Sequence, residues 1–253
     1  MKSLSFELCV QTLESACAAQ AGGADQVELC AGLSGGGITP LSEVTAAVVR
    51  AVSIPVSVLI RPRYGDFAFS SEEYDLMCRQ IGEAREAGAA AVAVGVLLRD
   101  GRIDVARTSA LVDLARPMKV TFHRAFDEAP DLFTALDDVI ATGADCLLTS
   151  GGHNGVLAGA ATIASLSKHA GNRLRLMAGG GLRLENLAEV VLRSGVTMLH
   201  SSLTRANGTH SHRNGDGRCV ETGMSVLTAD VCEAIRLFHE AFQARAFAAP
   251  PAE

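Results

Sequence analysis

Eight short apolar segments, each followed by an amphipathic stretch of helix length, set the tightest limit on what this chain can become. They lie near 6–10, 26–30, 55–62, 91–97, 119–127, 146–152, 175–181 and 198–203, with starts 20, 29, 36, 28, 27, 29 and 23 residues apart. Each interval holds one helix and two loops. Such alternation builds a parallel sheet covered by helices, and eight βα units closed on themselves leave no strand edge exposed. The expected fold is α/β, one (β/α)8 TIM barrel occupying 1–253 as a single domain.

Four joins repeat at one phase of that rhythm: Gly22-Gly23-Ala24-Asp25, Gly88-Ala89-Ala90, Gly143-Ala144-Asp145 and Gly195-Val196-Thr197. Each reads as a glycine-closed helix end opening into a strand. Thr39-Pro40 reads as an N-cap and first helical turn, and Ser70 with Glu73 has capping-box spacing. Two loops break the rhythm, 63–70 after the third strand and the polar, Gly-rich 204–223 after the eighth. Both fall on the C-terminal face, where barrels of this kind keep their working loops.

The 48% hydrophobic fraction supplies a large core, and 4% aromatics without Trp leave it to Ala, Val, Leu and Ile, which suit strands buried on both faces. A net charge of −6 with no basic run gives no grip on nucleic acid. Apolar runs are only strand-sized and no basic region leads into one at the N-terminus, so neither membrane span nor signal peptide is read. The seven Cys (9, 17, 30, 78, 146, 219, 232) form no CxxC pair. Reduced cytosolic thiols are expected, with Cys17, Cys78 and Cys232 as small buried helical residues. His210 and His212 with Cys219 could suggest a metal site, but their polar surroundings read as a solvated loop.

Strand side chains two apart share a face. Parity therefore groups Glu7 with Cys9, Glu28 with Cys30, Arg61 with Arg63, His123 with Asp127, and His200 with Ser202. The intervening Leu8, Leu29, Ile60 and Phe122 suit the helix-facing side, so the polar set faces the barrel axis. An unpaired charge there costs several kcal/mol or neutralises itself. Either Glu7, Glu28, Arg61, His123 and His200 compensate one another, or they hold a polar ligand; their place late in the strands favours a site. Arg124 follows His123 and should point to the helices unless the strand bulges.

Gly179-Gly180-Gly181 ends the seventh strand, Ser150-Gly151-Gly152 the sixth, and His200-Ser201-Ser202 the eighth. Backbone N–H groups at such ends suit an anion, phosphate above all; tight turns alone are the other reading. Cys9 and Cys30 lie on adjacent strands at matching depth, where two thiolates would suit a soft monovalent ion such as Cu(I); two small inward residues are the plainer alternative. No nucleotide cofactor is indicated.

Several of these residues sit in longer blocks. Phe-Glu-Leu-Cys at 6–9, Gly-Ala-Asp-Gln-Val-Glu-Leu-Cys at 23–30, Gly-Gly-Ile-Thr-Pro at 36–40, Ile-Arg-Pro-Arg at 60–63, Thr-Phe-His-Arg-Ala-Phe-Asp at 121–127, Leu-Thr-Ser-Gly at 148–151, Met-Ala-Gly-Gly-Gly at 177–181 and His-Ser-Ser at 200–202 together resemble the CutC family. The resemblance runs from the first strand to the eighth, and 207–222 carries no pattern of the family. It implies a cytoplasmic, oligomeric barrel (dimer or tetramer) of copper homeostasis, binding Cu(I) through thiols that correspond to Cys9 and Cys30. The inward Glu, Arg and His array fits that role poorly. It reads instead as acid–base and anion-binding equipment for a small, anionic or phosphorylated metabolite, with Glu28 or His123 moving protons and Arg61 holding the anion. A non-catalytic interaction scaffold is a third reading, without an apolar patch in the sequence to carry it.

Overall fold

β1 (Ser5–Val10) pairs in parallel with β2 (Gln26–Leu29) on one side and β8 (Met198–Ser201) on the other, which closes the sheet. Between them run β3 (Val56–Leu59), β4 (Ala91–Val94), β5 (Lys119–Phe122), β6 (Cys146–Thr149) and β7 (Arg175–Ala178), each beside its sequence neighbours in a barrel ordered β1 to β8. The computed structural model describes residues 4–206 and 224–248. Helices α1 (Leu13–Ala21), α2 (Ser42–Ala51), α3 (Ser71–Glu86), α4 (Val105–Ala115), α5 (Leu132–Ala141), α6 (Ala160–Ala170), α7 (Leu184–Ser194) and α8 (Thr228–Ala248) follow the strands in turn. The fold is the expected (β/α)8 barrel. Among the described residues no helix is long and apolar enough to cross a membrane.

Local chemistry starts and stops these elements. Ser70 and Glu73 form a reciprocal capping box on α3, and Asp131 Oδ1 accepts from Thr134 N at 2.7 Å to open α5. Gly88 and Gly143 take φ of 86° and 78° just after α3 and α5, the left-handed turn expected at the repeated joins. Thr39 does other work than capping: α2 begins at Ser42, while Thr39 Oγ1 accepts the backbone N–H of Arg61 at 2.8 Å. Cys17 and Cys232 lie on α1 and α8 but are exposed, and Cys78 is half-buried, so these thiols are not the small core residues expected.

Strand alternation sorts the core into two regions. Leu8, Leu29, Ile60 and Phe122 are fully buried between sheet and helices, each burial contributing about 1.5–3 kcal/mol. Inside the barrel, Cys9, Cys30, Leu59 and Ala93 form one small cluster, and Cys146, Leu148, Met177 and Met198 another. Burial pushes the Cys146 thiol up to about 12, so it packs as a neutral group.

The strands are shorter than the apolar segments suggest. β5 stops at Phe122, because His123 Nδ1 accepts the N–H of Ala125 at 3.1 Å and opens a 3₁₀ turn over Arg124–Glu128. Period-two reasoning ends there. Residues 207–223, with His210, His212 and Cys219, lie outside the described part of the chain.

Candidate functional site

A cavity of about 590 Å³ opens at the C-terminal ends of the strands. Cys9, Glu28, Cys30, Arg61, His123 and His200 all line it, so strand parity brought these six to one place. Leu59 and Leu148 complete the inner wall, and the outer wall comes from loops.

Register explains the floor. Cys9 pairs with Glu28 across β1 and β2, and Glu7 with His200 across β1 and β8. Cys30 therefore sits one inward position above Glu28, diagonal to Cys9 rather than level with it, and the two sulfurs lie 3.4 Å apart. They are free thiols. The hydrogen bond with Cys30, burial and the nearby charge of Glu28 hold the Cys9 thiol well above its ordinary range.

Glu7 lies beneath this floor and does not line the cavity. Its Oε1 accepts from His200 Nδ1 at 2.7 Å and its Oε2 from Gln26 Nε2 at 2.6 Å, so the buried carboxylate has partners on both oxygens. Nδ1 being committed to Glu7, the other ring nitrogen of His200 turns to Glu28, Nε2 to Oε2 being 3.9 Å. Burial works against a charged His200, but the Glu7 hydrogen bond and the charges of Glu28 and Glu7 prevail and raise its pKa. Burial likewise raises Glu28, an effect the charge of His200 opposes. The unit is an ion-paired, hydrogen-bonded cluster able to hand protons to a bound molecule.

Arg61 and His123 form the opposite wall. Arg61 gives Nη1 to the carbonyls of Gly36 and Gly37 and Nη2 to that of Gly65, and its guanidinium carbon lies 4.5 Å from the Phe67 ring centroid. It thereby ties together the loops after β2 and β3. His123, whose ring lies tilted against Phe67 with the centroids 5.1 Å apart, is lowered to about 3 by burial and by the charge of Arg61, so it is a neutral ring. With Nδ1 accepting from Ala125, its proton sits on Nε2. That atom and Arg61 Nε are buried without a hydrogen-bond partner. A neutral His123 is a donor rather than the base suggested by its sequence position.

Arg63 does not share the face of Arg61. The chain has left the strand by then, and Arg63 binds Glu73, Asp66 and the carbonyl of Ala68 at the N-terminus of α3. Arg124 departs from expectation in the other direction. The 3₁₀ turn swings it to the cavity wall, where Nε donates to Asp127 Oδ2 at 2.9 Å and Nη2 to Ser150 Oγ at 3.3 Å.

Asp127 also corrects the anion reading at β6. Its carboxylate accepts the N–H groups of Ser150 and Gly152 and the hydroxyls of Thr149 and Ser150. The donors at the end of β6 thus already hold an anion, one that the protein itself supplies. Gly151 serves the turn there, its missing side chain leaving room for the Gly159 backbone. At β7, Gly179 packs on Leu148 and His200, and a side chain at Gly180 would strike Arg124 and Ser150. Gly180 and Gly181 line the cavity with Ser201 and Ser202. Ser201 Oγ donates to the Leu182 carbonyl at 2.8 Å, and Ser202 pairs with Thr204.

Several contributors were not foreseen. Glu128 lines the cavity from the end of the 3₁₀ turn and Arg183 from the loop leading into α7, where no strand periodicity marks them. Gly95 directly follows β4 and packs against His123, where a Cβ would come within 2.4 Å of the ring. The Val-Gly-Val run at 94–96 is the sequence mark of that close approach.

A sequence model described as the CutC family matches residues 4–205. The family protein CutC of Chromobacterium violaceum is 45% identical over 197 residues, covering 78% of this chain and 80% of the relative. A human protein named copper homeostasis protein cutC homolog is 43% identical over 205 residues, covering 80% of this chain and 75% of the relative. The crystal structure of CutC from Streptococcus agalactiae superposes with a TM-score of 0.75 at 30% identity, covering 79% of this chain and 98% of that one.

Proposed function

This chain belongs to the CutC family, and from that premise we propose that it takes part in copper homeostasis by binding Cu(I), as cargo, through the thiols of Cys9 and Cys30. One observation carries the reading: the two sulfurs are 3.4 Å apart on the lining of an open cavity. Thiolates are the donors that select Cu(I) over the hard cations of the cell. The donor set fits, provided that the ion displaces the thiol protons. All six described cysteines are free, which suits a reducing cytoplasm. The relatives' names support the copper role, and a homo-oligomer, dimer or tetramer, completes the proposal.

The test is competition for Cu(I) against a chromophoric chelator, using reduced protein and the Cys9→Ser and Cys30→Ser variants. One Cu(I) per chain, held at least about ten-fold more weakly by either variant, is expected. Equal affinity in all three overturns the reading.

A second reading is supported by the cations on the same cavity. Arg61, Arg124 and Arg183 line the same cavity as the Glu28–His200 pair, a combination suited to acid–base chemistry on a small anionic or phosphorylated metabolite. Stabilisation of wild type, but not of Glu28→Gln, in a thermal-shift screen of phosphorylated and carboxylated metabolites is expected. No stabilisation by any of them counts against it.

A further inference from the structure

Cys30 is not the nearest complement to Cys9 for every metal. Cys9, Glu28 and His200 each bring one donor atom within 4.8 Å of the other two, a set that leaves Cys30 out. The His200 Nε2 to Glu28 Oε2 separation is 3.9 Å. A tetrahedral ion with bonds of about 2.0–2.3 Å needs donors roughly 3.3–3.8 Å apart, so small side-chain rotations close the site. We propose that Cys9, Glu28 and His200 form a three-ligand site for a borderline divalent cation, Zn²⁺, with the fourth position open to the cavity.

Three features beyond proximity support this. One sulfur, one imidazole nitrogen and one carboxylate oxygen are donors of intermediate softness, which suit Zn²⁺ better than Cu(I) or Mg²⁺. His200 is already oriented as a ligand, because its Nδ1 binds the carboxylate of Glu7 and Glu7 is itself held by Gln26. A carboxylate behind the distal nitrogen is the usual support of a metal-bound histidine. Finally, all three ligands line the cavity, so an ion there meets whatever enters. With an ion bound, its open fourth position would polarise a carbonyl or phosphoryl oxygen, or water, in a cavity that Arg61 and Arg124 also line.

This site shares Cys9 with the proposed Cu(I) pair and is otherwise independent of it. The experiment adds Co²⁺, a spectroscopic stand-in for Zn²⁺, to reduced, metal-free full-length protein, then displaces it with Zn²⁺; Cu(I) titrations run in parallel. Intense visible bands of four-coordinate cobalt with a sulfur-to-cobalt band in the near ultraviolet are expected at one ion per chain. His200→Asn and Glu28→Gln should weaken Zn²⁺ by at least about ten-fold and Glu7→Gln by about ten-fold, whereas Cys30→Ser leaves it within about two-fold. Weak six-coordinate bands, or Zn²⁺ affinity indifferent to His200 and Glu28, overturn the proposal. Zn²⁺ lost on Cys30→Ser overturns it as well, since the ion would then sit on the thiol pair. Loss of Cu(I) binding alone sinks the copper reading and leaves this one standing. Should a variant fail to fold, the intensity of that near-ultraviolet band in the unmutated protein decides: one thiolate per cobalt is expected, and two thiolates overturn the proposal.

Discussion

Glu7 Oε1 and His200 Nδ1 are 2.7 Å apart across the β1–β8 seam that closes the barrel. One buried contact thus joins the first and last strands and aims the opposite edge of the ring at the cavity floor. The orientation of the site thus depends on a pair that sits on the closing seam of the fold. Glu7→Leu leaves His200 without its buried partner and is expected to cost about 3–5 kcal/mol. Urea unfolding at neutral pH checks this, and a loss below about 1 kcal/mol would show the pair to be incidental.

His123 sets an acid limit on stability. Its folded pKa of about 3 lies below the ordinary 6.5. The unfolded chain therefore binds the extra proton first as pH falls. The stability of the neutral ring is fully present above about pH 6.5 and is lost progressively toward pH 3. Between pH 7.5 and 5 this loss amounts to about 2 kcal/mol. Urea unfolding of wild type and His123→Gln at both values should show a loss smaller by about that amount in the variant. Equal losses contradict the burial argument.

Arg61 binds three backbone carbonyls in two loops. Lys carries the same charge but cannot span them. Arg61→Lys should speed amide exchange across 32–38 and 63–69 by about ten-fold or more, while β1 to β8 stay protected. Uniform acceleration would mean that Arg61 supports the whole barrel instead.

Asp127 fills the donor array at the end of β6. Asp127→Ala strips the partner from those buried groups and should cost about 3 kcal/mol. Inorganic phosphate at millimolar concentration should recover part of that loss in the variant and leave the wild type unchanged. Equal response of both proteins would show that the array is no anion site.

Strand periodicity made the inner half of the site legible and little more. Cys9, Glu28, Cys30, Arg61, His123 and His200 reach the cavity because β-structure, or its direct extension, alternates side chains between two environments. The reading failed where the chain left that geometry. Arg63 and Arg124 each lie just past a strand, and one turns away from the cavity while the other turns into it. Asp127 arrives through a 3₁₀ turn, and Thr39 fixes the Arg61 backbone instead of capping a helix. Arg183 comes from a loop whose path depends on the finished barrel. The exposed Cys17 and Cys232 make a related point, since a thiol's residue type does not say which face of a helix it occupies.

The central claim is that the Cys9–Cys30 pair holds copper. Copper K-edge X-ray absorption of the Cu(I)-loaded wild type tests it most directly. The account predicts a first shell dominated by two sulfurs, one of which is lost in Cys30→Ser. A shell of nitrogen and oxygen alone, unchanged in that variant, would contradict it.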